Sequence, residues 1–252
     1  MKFATVFALL VVPLIAIAQQ STTSPSSAGT PKDATQGKAS GTYSNTDLHL
    51  IFMYPKGLKP EDAHAIANRG HIAFYGTQPE SDPEHVESEA CDKVLLMVGK
   101  EGDHKKAVVT ILGGGKAPSI KPDPTASIAL FEIDKRCVPP KILKKPDNAL
   151  AGLALQATQI PGMTPIDQPV WYKIQGHKIH FAAAQGRPLS KDGKQLSSVR
   201  QIIGGFAVEL NGHLLFWMLQ SDNVEYFNRL LDSKVDFGRG APQALFPVHL
   251  HQ

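Results

Sequence analysis

Two apolar runs, 201–210 and 213–220, are separated by nothing but Asn211-Gly212. An Asn-Gly pair between apolar runs is the strongest short hairpin signal a sequence carries, because both turn residues must tolerate positive φ. The chain is thereby committed to antiparallel pairing, and further strand signals surround the hairpin. Residues 170–174 and 178–184 read as strands before it, with Asp192-Gly193 marking a looser turn between. Upstream, 94–98 (VLLMV) reads as a buried strand, 107–112 as its neighbour and 127–133 as another. The GGGKAPSIKPDPT stretch between the last two is too rich in Gly and Pro for an element and reads as loop. Leu48–Tyr54 is a further strand, apolar on both sides and so expected to be covered on both, ended by Pro55-Lys56-Gly57.

Helix signals are fewer. Val224, Phe227, Leu230, Leu231 and Val235 share one face at helical spacing, behind a capping-box-like start in Asp222 and Glu225. Asn148–Gln159 is helical by propensity and spacing, with Asp147 or Asn148 as the cap and Pro161-Gly162 as the stop. Pro60-Glu61-Asp62-Ala63 opens a third helix that should end around Gly70. Residues 78–89 are acidic and polar and read as loop or a short exposed helix. The fold class that follows is α+β: a largely antiparallel sheet of seven or eight strands, with the helices at 148–159 and 222–235 covering a face.

The start of the chain assigns a compartment. Met1–Ala18 (MKFATVFALLVVPLIAIA) has one lysine, an apolar run and a small-residue end at Ala16-Ile17-Ala18. That is the order a secretory signal requires, and cleavage is expected after Ala18. The run is short for a membrane span and carries Pro13. No cysteine sits near the cleavage point, which disfavours a lipid anchor, and no later stretch is long enough for a stable span. Residues 19–40 are rich in Ser, Thr, Pro, Gly and Gln without a large apolar side chain, so they read as a disordered linker. One α+β domain is expected over 41–238, followed by an irregular tail over 239–252. The expected location is the periplasm or the exterior.

Export gives the cysteines their meaning. There are two, Cys91 and Cys137, which in an exported chain read as a disulfide. Chain entropy sets an upper figure of ~4 kcal/mol for closing a loop of this length. A zinc site is disfavoured because the pair lacks short C-x-x-C spacing.

Two stretches resemble PsbP/Mog1-type domains. Tyr43-Ser44-Asn45 with Leu48–Tyr54 and Pro55-Lys56-Gly57 is similar to the opening of that group, where an early strand ends in an aromatic-Pro-x-Gly-like turn. Phe206–Gly238 is similar to its close: a final hairpin, a capped helix and a short segment from Ser233 to Phe237. The resemblance covers the two ends of the domain and implies an α/β/α sandwich around an antiparallel sheet. It carries over no functional residue, because members of the group do different things on one fold.

Motifs for chemistry are sparse. His177 and His180, three apart, would face opposite sides of a strand. His249 and His251 form an H-x-H that an extended chain could offer to a metal, but a frayed tail is the preferred reading. Gly113-Gly114-Gly115-Lys116 lacks the first glycine and the hydroxyl residue of a phosphate loop. There is no G-x-S-x-G elbow and no H-E-x-x-H pair. Trp217 and Phe216, with Trp171 and Tyr172, could line an apolar pocket, but strand aromatics more often form core. The formal charge of +3 comes from scattered lysines, which argues against a nucleic-acid surface. The expectation is an exported non-enzymatic binding or accessory protein of the cell envelope, more an interaction module than an enzyme. No catalytic residue, metal or cofactor is assigned, and the partner would be an envelope protein or a small apolar ligand. The alternatives are an exported hydrolase-like enzyme with a non-local site and a histidine-based metal-binding protein.

Overall fold

The computed structural model describes residues 41–79, 90–102, 124–138, 140–156, 158–166 and 168–246. The leader, the linker, the strand expected at 107–112, the Gly113–Lys116 loop and the His249/His251 pair lie outside the described residues. In chain order the elements are β1 (Thr42–Asn45), β2 (Leu50–Met53), β3 (Lys59–Pro60), α1 (Ala63–Tyr75), β4 (Asp92–Lys100) and β5 (Ala126–Ile133). A 3-10 turn (Lys135–Cys137), α2 (Pro140–Leu143), α3 (Pro146–Gln156), β6 (Met163–Pro165), β7 (Val170–Ile174) and β8 (His177–Gly186) follow. The chain continues through β9 (Gln201–Leu210), β10 (His213–Ser221), α4 (Val224–Leu231), β11 (Lys234–Asp236) and β12 (Gln243–Ala244).

Asn211 and Gly212 turn at φ 50 and 83, and β9 pairs β10 in unbroken antiparallel register from His213↔Leu210 to Ser221↔Ile202. This hairpin sits inside an eight-stranded sheet of order β3-β4-β5-β10-β9-β8-β6, with β7 also on β8. A smaller sheet runs β1-β2-β11-β12. Every pairing between named strands is antiparallel. The fold is therefore mixed α+β with mostly antiparallel sheets.

Alternation along β10 places two cores on the two faces of the large sheet. Leu215, Trp217 and Leu219 point to one face, where they meet Phe227, Leu230 and Leu231 of α4 and Phe52 of the small sheet. Phe216 and Met218 point to the other, against Leu150 and Leu153 of α3 and Ile66 of α1. The helices expected to share a face thus cover opposite ones. The physical reason is that β10 is apolar at every position from Leu214 to Leu219, so neither face can be left wet.

Other expectations are corrected in the same terms. The first long strand is shorter than Leu48–Tyr54 and is covered on one side only: Ile51 and Met53 are each 40% exposed while Leu50 and Phe52 are buried. The small sheet packs one face on the core, so only alternate residues find cover. α1 runs past Gly70 to Tyr75 and ends at Gly76, whose φ of 73 supplies the left-handed cap. The helix expected at 148–159 runs Pro146–Gln156. α4 is capped by Asn223, whose side chain accepts from the Tyr226 N–H, while Asp222 accepts from Thr125 N–H and ties the helix start to β5. Val235 belongs to β11, not to the helix. The tail expected to be irregular from 239 instead forms β12 and buries Leu245 and Phe246 beside Phe181 and Phe206. No described helix is long and apolar enough to cross a membrane.

Candidate functional site

Cys91 immediately precedes β4 and Cys137 closes the 3-10 turn after β5. The antiparallel register Asp92↔Ile133 brings those two strand ends together, and the Asp134 N–H donates to the Cys91 carbonyl at 2.8 Å. The cysteines are bonded to each other, with Cα atoms 5.8 Å apart, and Cys137 is exposed. The bridge expected from the cysteine count is therefore present and ties neighbouring strand ends.

A cleft of about 440 Å³ opens beside the bridge, walled by Cys91, Lys93, Glu132, Lys135, Arg136 and His213. Its residues come from the start of β4, the end of β5, the 3-10 turn and the Asn211-Gly212 turn. Lys93 and Glu132 are direct cross-strand partners with Nζ and Oε2 3.7 Å apart. Glu132 also holds His213 Nδ1 at 2.5 Å. Lys135 pairs with Glu209 at 2.7 Å. Arg136 clasps Asp134 through Nε at 2.8 Å and Nη2 at 2.5 Å, and Asp134 also accepts from the Arg136 N–H. Those hydrogen bonds hold the Asp134 carboxyl below the usual carboxylate range and push the guanidinium further up.

Every charged wall group is thus matched by an opposite charge that water also reaches. Exposed pairs of this kind contribute little to stability and exchange readily with the charges of an incoming molecule. No hydroxyl lines the cleft among the described residues, and both cysteine sulfurs are bonded to each other. The arrangement presents charges of both signs to an incoming molecule.

Behind the cleft, on the opposite face of β4 from Lys93, lies Asp92. It is 7% exposed, and neither carboxylate oxygen has a hydrogen-bond partner among the described residues. Burial pushes its pKa up to about 8, so the side chain is a neutral acid at neutral pH.

The remaining candidates do not converge. His177 meets the Phe237 ring, whereas His180 lies on the α3 side with Nε2 3.8 Å from Asp147, too far for a hydrogen bond. Burial, and then Lys178, lower the His180 pKa, so its imidazole is neutral. Asp147 instead bonds Lys178 at 2.7 Å. Trp217 and Phe216 are fully buried on opposite faces of β10. Trp171 is 58% exposed on β7 with Lys178 Nζ 4.3 Å above its ring. Tyr172 turns inward and its hydroxyl donates to the Leu245 carbonyl. The four aromatics therefore form no common pocket. Among the described residues no three His, Cys, Asp or Glu side chains are grouped to hold a metal. Sequence reasoning missed Lys93, Glu132 and His213; their only local signal is a polar residue near the end of an apolar strand, which register alone turns into a cluster.

No protein-family model matches the chain, and no curated protein matches it. Among solved structures it is similar to a crystal structure of a Pseudomonas aeruginosa protein of unknown function, at 15% identity and a TM-score of 0.25. The likeness covers 38% of this chain, which spans 58% of that one.

Proposed function

We propose that the protein is an exported, non-enzymatic binding or accessory protein of the bacterial cell envelope, whose partner docks at the cleft beside the Cys91–Cys137 bridge. One observation carries the reading: the bridge borders a cleft walled by exposed ion pairs. A disulfide is kept in oxidising compartments, and the Met1–Ala18 leader has the order of a secretory signal. Charged walls of both signs favour a polar protein surface over a small apolar ligand. The apolar character of both faces of the large sheet supports the PsbP/Mog1-like α/β/α sandwich as the finer description of the fold.

A photo-crosslinking side chain placed at Arg136 in the bridged protein, with one at Lys56 as a control, tests the docking face in an envelope fraction. The reading expects one dominant adduct from position 136 that is absent from position 56 and fades as salt rises. Equal adducts from both positions, or none, would sink it.

A further inference from the structure

Across the far end of the large sheet, a row of polar groups interrupts the apolar face that α1 and α3 cover. Gly99, Ser127 and Gln220 are consecutive cross-strand partners on β4, β5 and β10. Strand alternation points all three to the side of Met97, Ala129 and Met218. Ser127 and Gln220 are each only 4% exposed.

Glu61, between β3 and α1, reaches onto this row. A Cβ added at Gly99 would meet the Glu61 carboxyl atoms at 2.3 to 2.4 Å, so the carboxyl occupies the space that any other residue at 99 would fill. Its Oε2 is buried without a hydrogen-bond partner among the described residues. Burial raises its pKa to about 7, against the lowering effect of Arg69 on α1 and with a further rise from Glu101 beyond β4.

The hydrogen-bond chain on the other flank settles which atom Gln220 presents. The Ser197 hydroxyl donates to the Val199 carbonyl, so towards Gln201 it accepts, from Nε2 at 3.2 Å. The Gln201 Oε1 then accepts from Gln220 Nε2 at 3.1 Å. Gln220 is left with its carbonyl oxygen, Oε1, buried and without a hydrogen-bond partner among the described residues. Ser127 thus stands between Gly99, with the Glu61 carboxyl packed over it, and Gln220, on neighbouring strands spaced by about 5 Å, and both Glu61 Oε2 and Gln220 Oε1 lack donors among the described residues. Unmet buried acceptors are costly, and a ligand that supplies N–H groups recovers that cost.

We propose that this row is a binding slot for a small primary ammonium ion, with the Glu61 carboxylate as counter-charge and the Ser127 hydroxyl and Gln220 carbonyl as further acceptors. An ammonium carries three donors and one charge, matching three acceptor groups of which one is a carboxylate. A divalent cation fits worse, since among the described residues no three His, Cys, Asp or Glu side chains are grouped to hold one. The slot lies at the opposite end of β4 from the disulfide and does not depend on the docking cleft.

Calorimetric titration of the full chain with n-propylammonium tests the proposal, with 1-propanol and tetramethylammonium as controls. Binding of propylammonium alone is expected at pH 8, weakening about tenfold per pH unit below pH 7 as Glu61 takes up a proton. Glu61→Gln should cut the affinity ~10–100-fold, the worth of a charge-assisted hydrogen bond. Gly99→Ala, which displaces the carboxyl, should do the same by a different route, with thermal melts confirming that each variant is folded. Absence of propylammonium binding at pH 8 would mean that the row holds only water and would overturn the proposal. So would propanol binding as tightly as the ammonium, or unchanged affinity in both variants.

Discussion

At the scale of single residues, two buried positions make opposite demands. Asp92 keeps a carboxyl where no partner reaches it, and its folded pKa of about 8 lies well above the unfolded carboxylate value. The folded state therefore binds more protons than the unfolded chain between roughly pH 4 and 8. Stability should fall as pH rises through that window, by up to ~4 kcal/mol at pH 7. Asp92→Asn should flatten the dependence and be the more stable protein at pH 8, as urea unfolding at several pH values would register; identical pH profiles would remove the buried acid from the argument. Gly204 makes the steric demand. A Cβ there would stand 2.9 Å from Phe227 Cζ and 3.1 Å from Phe181 Cε2, so Gly204→Ala should cost about 1–3 kcal/mol in the same assay. Neither demand is legible in the sequence. Asp92 and Gly204 read as an ordinary polar residue and an ordinary glycine until register places them against an apolar layer.

At the scale of elements, what is local is legible and what is non-local is not. The β9–β10 hairpin follows from the φ requirements of Asn211-Gly212, and α4 from the spacing of Phe227, Leu230 and Leu231. The helix is capped by Asn223 and not by Asp222, since both offer an acceptor and only the position of Thr125 decides which one the helix uses. Asn223→Ala should therefore cost about 1 kcal/mol. The aromatics sort by the same logic. Trp217, fully buried between the large sheet and Phe52, should cost ~3–5 kcal/mol when cut to Ala, whereas Trp171→Ala on the exposed edge of β7 should stay near ~0.5 kcal/mol. Denaturant midpoints of the two variants measure that contrast directly. Nothing in the run QPVWYKI tells the outward Trp171 from the inward Tyr172 without the pairing of β7 to β8.

At the scale of the whole molecule, a large antiparallel sheet covered on both faces is pinned at one end by a disulfide and carries a polar slot at the other. The bridge was legible from two cysteines and a leader; the cleft beside it was not, because its walls come from segments more than seventy residues apart, such as Glu132 and His213. Removing the bridge by Cys91→Ser with Cys137→Ser should lower stability by ~2–4 kcal/mol without changing the fold, since the loop it closes spans 46 positions. The proposed export predicts a removed leader together with an oxidised bridge, and the intact mass of the protein recovered from a periplasmic fraction measures both at once. The predicted mass is that of a chain beginning at Gln19 and two hydrogens short of the reduced form. A cytoplasmic product that retains Met1–Ala18 with both thiols free would contradict it.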